Sequence, residues 1–219
     1  MALAIFDLDN TLLNGDSDYL WGQFLAKQGH VDAAFYEKEN QRFYDEYVDG
    51  SLDIFEFLEF SLKPLSEISM SELNQLHASF MDECILSLIT PQSRALIQTH
   101  KDKGDTLLII TATNFFITAP IAEELGIANI LATSPEMIDG KYTGKVSGTP
   151  CFKEGKVERL KVWLTERGEN LAGSFFYSDS HNDLPLLEMV TKPIAVDPDH
   201  TLRSHAEMKG WDIMSLRGE

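Results

Sequence analysis

At 219 residues, with 43% hydrophobic and 24% charged side chains, the chain can build one large domain, or one domain with a sizeable insert, and is not dominated by disorder. Its formal net charge of −17 argues against a nucleic-acid or anionic-membrane surface, both of which need clustered Lys and Arg, yet leaves room for a small anionic substrate, because a bound divalent cation inverts the local sign. Two widely separated cysteines, Cys84 and Cys151, fit buried free thiols in a reducing cytoplasm; with no basic leader and no apolar run near the ~20 residues of a membrane span, a soluble cytoplasmic protein is expected.

The first element is an apolar run over residues 3–6, read as a buried strand, which leads directly into Asp7-Leu8-Asp9-Asn10-Thr11. Strand alternation starts Asp7 and Asp9 on the same side. Two carboxylates held that close repel unless a cation or a shared proton compensates, so the pair suits a metal site or an acid/base dyad. Asn14-Gly15-Asp16 is a turn signal, and Asp16 or Ser17 can cap a helix starting near Asp18. From residue 18 to 88 apolar side chains recur at helical spacing, as in Tyr19, Trp21, Phe24 and Leu25 or Leu73, Leu76, Phe80 and Cys84. That pattern predicts four or five helices.

Pro91 opens a different texture. Residues 92–103 read as a helix, 106–110 as a buried strand ending at Thr111, and 115–125 as the next helix. A strand over 129–133 precedes a hairpin of 136–138 and 141–146 about Asp139-Gly140. A helix over 153–167 and a strand over 174–177 lead into Ser178-Asp179-Ser180-His181-Asn182-Asp183. A short helix over 184–189, a strand over 193–196 and a helix over 200–208 complete the chain. This alternation predicts an α/β fold, a doubly wound and mostly parallel sheet, with an inserted helical cap domain. The catalytic core would be residues 1–15 and 89–219, and the cap residues 16–88.

Ligand sites in open α/β sheets lie beyond the carboxyl ends of the strands. Four polar clusters fall there: Asp7/Asp9, Thr111/Asn114, Lys153/Lys156 and Asp179/Asp183. Each alone has a plainer reading, as a solvated turn, a strand-end threonine or a solvated helix face, and the residues themselves do not choose between the two lysines. A calcium loop of the EF-hand type fails, because Leu12 stands where glycine is needed and a strand precedes the loop. His181 reads as a local hydrogen-bonding residue.

The motifs Asp7-Leu8-Asp9-Asn10-Thr11, Ile110-Thr111-Ala112-Thr113, Gly155-Lys156-Val157 and Ser178-Asp179-Ser180-His181-Asn182-Asp183, in that order, resemble those of the haloacid dehalogenase superfamily. The likeness is to subfamily IB, the phosphoserine-phosphatase-like branch, and covers essentially the whole chain. It implies a Mg²⁺-dependent phosphomonoesterase acting through an aspartyl-phosphate on a small phosphorylated metabolite. By that resemblance Asp7 is the nucleophile, Asp9 the acid/base, Thr111 a phosphate hydrogen-bond donor and Lys156 the charge-balancing lysine. Mg²⁺ would be held by Asp7, the Asp9 carbonyl and Asp179, with Asp183 close by.

Asp16 falls where phosphoserine phosphatases carry a glutamate for the substrate amine. Arg42, the cap arginine, is the candidate for a substrate carboxylate, although its spacing does not match, and Asn114 and Asn182 are further candidate substrate contacts. Because both the cap arginine and the second motif depart from the phosphoserine pattern, histidinol phosphate is the favoured substrate. Phosphoserine, a phosphotransferase activity and a phospho-accepting signalling module are the alternatives. Monomer and homodimer are both left open.

Overall fold

The computed structural model describes residues 2–217. Strand β1 (Leu3–Phe6) is buried along its whole length. It pairs in parallel with β2 (Thr106–Asn114) on one side and β5 (Phe175–Ser178) on the other. Beyond β2 lie β3 (Asn129–Ile138) and β4 (Lys141–Ser147), and beyond β5 lie β6 (Lys192–Val196) and β7 (Asp212–Met214). The sheet order is β4-β3-β2-β1-β5-β6-β7, with only β4 antiparallel to its neighbour.

A central strand covered on both faces must be apolar throughout, which explains the unbroken run at residues 3–6. Ala4 and Phe6 join Leu107 and Ile109 in one apolar layer, while Leu3 and Ile5 join Leu108 and Ile110 in the other. Between β1 and β2 the chain forms α1 (Ser17–Lys27), α2 (Ala33–Asp49), α3 (Ile54–Glu67) and α4 (Met70–Phe80). The apolar faces of α1, α3 and α4 run into the Ala4/Phe6 layer through Trp21, Phe24, Leu62 and Phe80, and α3 lies against β4.

The remaining helices are α5 (Pro91–Asp102), α6 (Phe115–Glu124), α7 (Glu154–Arg167), α8 (Leu184–Leu187) and α9 (His200–Lys209). Leu160 and Trp163 of α7, Leu186 and Leu187 of α8 and Leu202 of α9 cover the Leu3/Ile5 face. No helix among the described residues is long and apolar enough to cross a membrane.

Four expectations change. Strand β2 continues past Thr111 to Asn114, with a register break against β3 between those two residues. The two strand pieces expected around Ser134 are one strand, because Ser134 and Pro135 pair with Ser147 and Val146. Strand β7, three residues long, is too short to carry a readable alternation. Cys84 is only partly buried, whereas Cys151 is buried, and both thiols are free.

Candidate active site

Asp7 continues the line of β1: its N–H donates to the Tyr177 carbonyl (2.9 Å) and its backbone is extended. The alternation then breaks. Leu8 to Leu12 coil into a single turn in which Asp9 is extended and Asn10 is left-handed (φ 53°). Asp9 therefore reaches the same cavity as Asp7 through the turn, not through the strand period expected for it.

Lysine 156, in the first turn of α7, answers the ambiguity between the two lysines. Its Nζ donates to Asp7 Oδ1 (2.9 Å) and lies 2.7 Å from Asp183 Oδ1, and all three residues are at most 5% exposed. Lys153 points elsewhere, donating to the Gly50 carbonyl at the end of α2 (2.8 Å). The helix start is tight: Lys153 has a positive φ of 47°, and a Cβ on Gly155 would collide with the Pro150 carbonyl oxygen. Only glycine permits that approach, and the approach aims the following lysine inward.

Burial raises the Asp7 carboxyl to about 7, with Lys156 pulling it down and Asp183 pushing it up. Asp9 is raised to about 6, first by burial and then by Asp16, while hydrogen bonds from the Ser17 backbone and Thr113 act the other way. Burial also raises Asp179 well above the usual range, followed by repulsion from Asp7 and Asp183. Burial would lower the Lys156 ammonium, but Asp183 and Asp7 outweigh it and shift it upward. These groups are held in conflict, as carboxylates gathered for chemistry are.

Asp179 is fixed behind the bridge by Thr11, whose hydroxyl donates to Asp179 Oδ1 and accepts from its N–H, both at 3.1 Å. Asp183 accepts from Ser178 Oγ (2.7 Å). Among the described residues no three acid, His or Cys side chains form a ready-made metal cluster; the expected set has two carboxylates, from Asp7 and Asp179, completed by the main-chain carbonyl of Asp9. The donor set is all oxygen, and the surplus of mutually repelling acids over one lysine suits a hard divalent cation.

A cavity of about 90 Å³ opens over this cluster. Asp7, Asp9, Thr111, Lys156 and Asp183 line it, and so do Asp16, Asp18 and Asn40. Its walls include Phe43, Tyr44 and Tyr47 from α2, Phe57 from α3 and Phe152. Among the lining residues Lys156 is the one base.

Three expected substrate contacts fall outside that lining. Arg42, absent from that lining, is engaged by Glu39, Glu46 and Glu56 in an ion cluster of α2 and α3. Asn114 caps α6, accepting from the Ile117 N–H (3.3 Å). Asn182 donates to the Tyr47 carbonyl (3.1 Å), tying α2 to the β5 loop. Asp16 does line the cavity, but its carboxylate accepts from the Tyr19 N–H (2.9 Å) as the α1 cap.

Thr113, Asp18 and Asn40 are among the lining residues missed from the sequence. Thr113 donates to Asp9 Oδ2 at 2.8 Å, a shorter bond than the 3.5 Å one from Thr111; a strand read two residues further would have put both threonines on one face. Asp18 looked like a first-turn helix acid, a residue type that favours helix N-termini without any site.

Together with the sheet order, this geometry places the protein among α/β enzymes that work at the carboxyl edge of a central first strand. Residues 4–188 match the family model for haloacid dehalogenase-like hydrolases, and the chain belongs to that family. It is 50% identical over 219 residues to a histidinol-phosphatase of Neisseria meningitidis serogroup C, covering 98% of this chain and 99% of the relative. It is 34% identical to the phosphoserine phosphatase SerB1 of Mycobacterium tuberculosis, covering 99% of this chain and 71% of that one. A crystal structure of a protein of unknown function from Bordetella pertussis superimposes with a TM-score of 0.92 at 44% identity, covering 98% of each chain.

Proposed function

We propose that the protein is a Mg²⁺-dependent phosphatase that hydrolyses histidinol phosphate, a small cytoplasmic metabolite, through an aspartyl-phosphate on Asp7. The enzyme is a phosphoric monoester hydrolase. Membership of a hydrolase family sets the signalling-module alternative aside. The observation that carries the mechanism is the buried bridge from Lys156 Nζ to Asp7 and Asp183 at the end of β1.

The Asp7 carboxylate attacks phosphorus in line as the ester P–O bond breaks, and the departing alkoxide takes its proton from Asp9. A carboxyl raised to about 6 is suited to holding that proton near neutrality. Asp9 then takes a proton from water, and the resulting hydroxide displaces Asp7 from phosphorus to release phosphate. Lys156 favours the ionised form of Asp7. Asp7, the Asp9 carbonyl and Asp179 would hold Mg²⁺, with Asp183 beside them; when bound, the ion neutralises phosphate charge. The Thr111 hydroxyl would donate to a phosphate oxygen.

Residues 16–88 would act as the cap, excluding water and selecting the leaving group. The relative of half-identical sequence supports histidinol phosphate, and so does the cavity: its one base is already engaged by Asp7 and Asp183, which leaves no cation for a substrate carboxylate. Phosphoserine is the second reading, supported by the Mycobacterium tuberculosis relative.

The test is a panel of phosphate esters assayed with Mg²⁺ and with chelator. Histidinol phosphate should be preferred over phosphoserine, with turnover abolished by chelation. Asp7→Asn should remove activity and leave the fold intact. Residual Mg²⁺-dependent turnover in that variant would refute the nucleophile assignment.

A further inference from the structure

Of the acids that line the cavity near the start of α1, two are committed to backbone N–H groups of that helix. Asp9 Oδ1 accepts from the Ser17 N–H (2.7 Å), and Asp16 accepts from the Tyr19 N–H. Asp18 is different. Among the described residues its carboxylate has one side-chain hydrogen bond, a long one of 3.5 Å from Asn114 Nδ2, and it lines the cavity. Beside it on the lining is Asn40, 6% exposed, whose Nδ2 has no hydrogen-bond partner. Asn40 lies so close to α1 that a Cβ on Gly22 would come within 2.7 Å of its amide nitrogen.

A buried amide without a partner is costly unless a ligand or water completes it. Asp18 and Asn40 also border a small space of about 10 Å³ shared with Trp21 and Ser61. It has room for about one water molecule. Such a water would serve Trp21 Nε1 and Ser61 Oγ, which are likewise unpartnered, and can occupy only part of the bonding capacity of the amide.

We infer that Asp18, with Asn40 beside it, is the specificity-determining element of the cavity, selecting a leaving group that presents a cationic or N–H-bearing nitrogen heterocycle. The inference rests on the phosphatase reading above and moves the decisive contact from Asp16 to Asp18. An imidazole carries an N–H that a carboxylate accepts and, when neutral, a second nitrogen that an amide N–H can donate to. The flat walls of Phe43, Tyr44 and Phe57 suit such a ring. A leaving group bearing a carboxylate would meet Asp16 and Asp18 with no free cation to compensate.

The experiment compares kcat/KM for histidinol phosphate, phosphoserine and p-nitrophenyl phosphate in the wild type and in Asp18→Asn, Asp18→Ser and Asn40→Leu. Circular dichroism checks the fold of each variant. A charged hydrogen bond of this kind predicts that the histidinol phosphate to p-nitrophenyl phosphate ratio falls about 10- to 100-fold in the Asp18 variants, with a smaller fall in Asn40→Leu. A ratio unchanged in folded Asp18 variants, while the wild type uses histidinol phosphate well, overturns the role of Asp18 and leaves the proposed function standing. A wild type that prefers phosphoserine overturns both, and shows it before any variant is made. Should the Asp18 variants fail to fold, wild-type rates on the two ring N-methylated histidinol phosphates decide. A marked loss with one isomer supports the inference, and equal rates with both methylated and unmethylated esters overturn it.

Discussion

Replacing Lys156 with Met would keep most of the buried volume and delete the one charge that faces two buried carboxylates. Its Nζ lies 2.9 Å from Asp7 and 2.7 Å from Asp183, with all three side chains at most 8% exposed. Removing one member of a buried ion pair costs about 3–5 kcal/mol, because the partner charge is left uncompensated. For a chain of this size that is about 6–20 °C in melting temperature, at ~2–4 °C per kcal/mol.

The cost should depend on pH with a definite sign. Asp7 already stands near 7, and Lys156 is what pulls it down, so the variant raises it further. A carboxyl whose folded value is raised contributes stability that is fully present below its unfolded value near 4 and lost as pH rises through the folded value. The Asp7 part of the gap between wild type and Lys156→Met should therefore grow from about pH 5 toward about pH 9, on top of the cost of the lost Asp183 bridge. Differential scanning calorimetry in chelator, across that range, measures it. A gap that stays flat with pH, or a variant as stable as the wild type at the alkaline end, would show that the bridge is not under the tension described. Turnover should fall at least ~10³-fold, since a protonated Asp7 cannot attack phosphorus.

Gly155→Ala forces a methyl against the Pro150 carbonyl; it should cost about 1–3 kcal/mol and reduce turnover, as read by urea unfolding and steady-state kinetics. Lys153→Ala frees the Gly50 carbonyl at the α2 terminus while Asn182 still holds Tyr47. It should raise KM more than it lowers kcat, with about 1 kcal/mol lost in stability; an unchanged KM would rule out a role in holding the helical segment over the cavity. Arg217 donates to the carbonyls of Asn10 and Leu13, at the turn that carries Asp9. Arg217→Ala should lower kcat more than it raises KM, with partial recovery in Arg217→Lys. Equal kinetics in all three proteins would remove Arg217 from the support of that turn.

How much was legible follows the range of the interactions involved. The chain by itself determined the alternating elements, because a strand buried on both faces must be apolar and a helix on a sheet must repeat near every fourth residue. The polar clusters were legible too, since Asp7, Thr111 and Asp179 each follow an apolar strand, although the residues alone did not choose between Lys153 and Lys156. Helix caps such as Asp16 were readable for the same local reason.

Only the tertiary structure decided what each polar residue faces. Lys153 and Lys156 are three positions apart and equivalent by composition; the contact between Gly155 and Pro150 turns one toward Asp7 and leaves the other on the α2 terminus. Arg42, expected at the substrate, is drawn off by Glu39, Glu46 and Glu56, the last 14 residues away in the chain. Asp16 and Asp18 both stand at the start of one helix in sequence and both line the cavity, but the folded chain commits the first to capping the Tyr19 N–H and leaves the second with one long side-chain bond from Asn114. Local pattern sets which elements form, through periodic burial and capping. The direction in which a charged side chain points depends on partners far along the chain, and no local pattern encodes those.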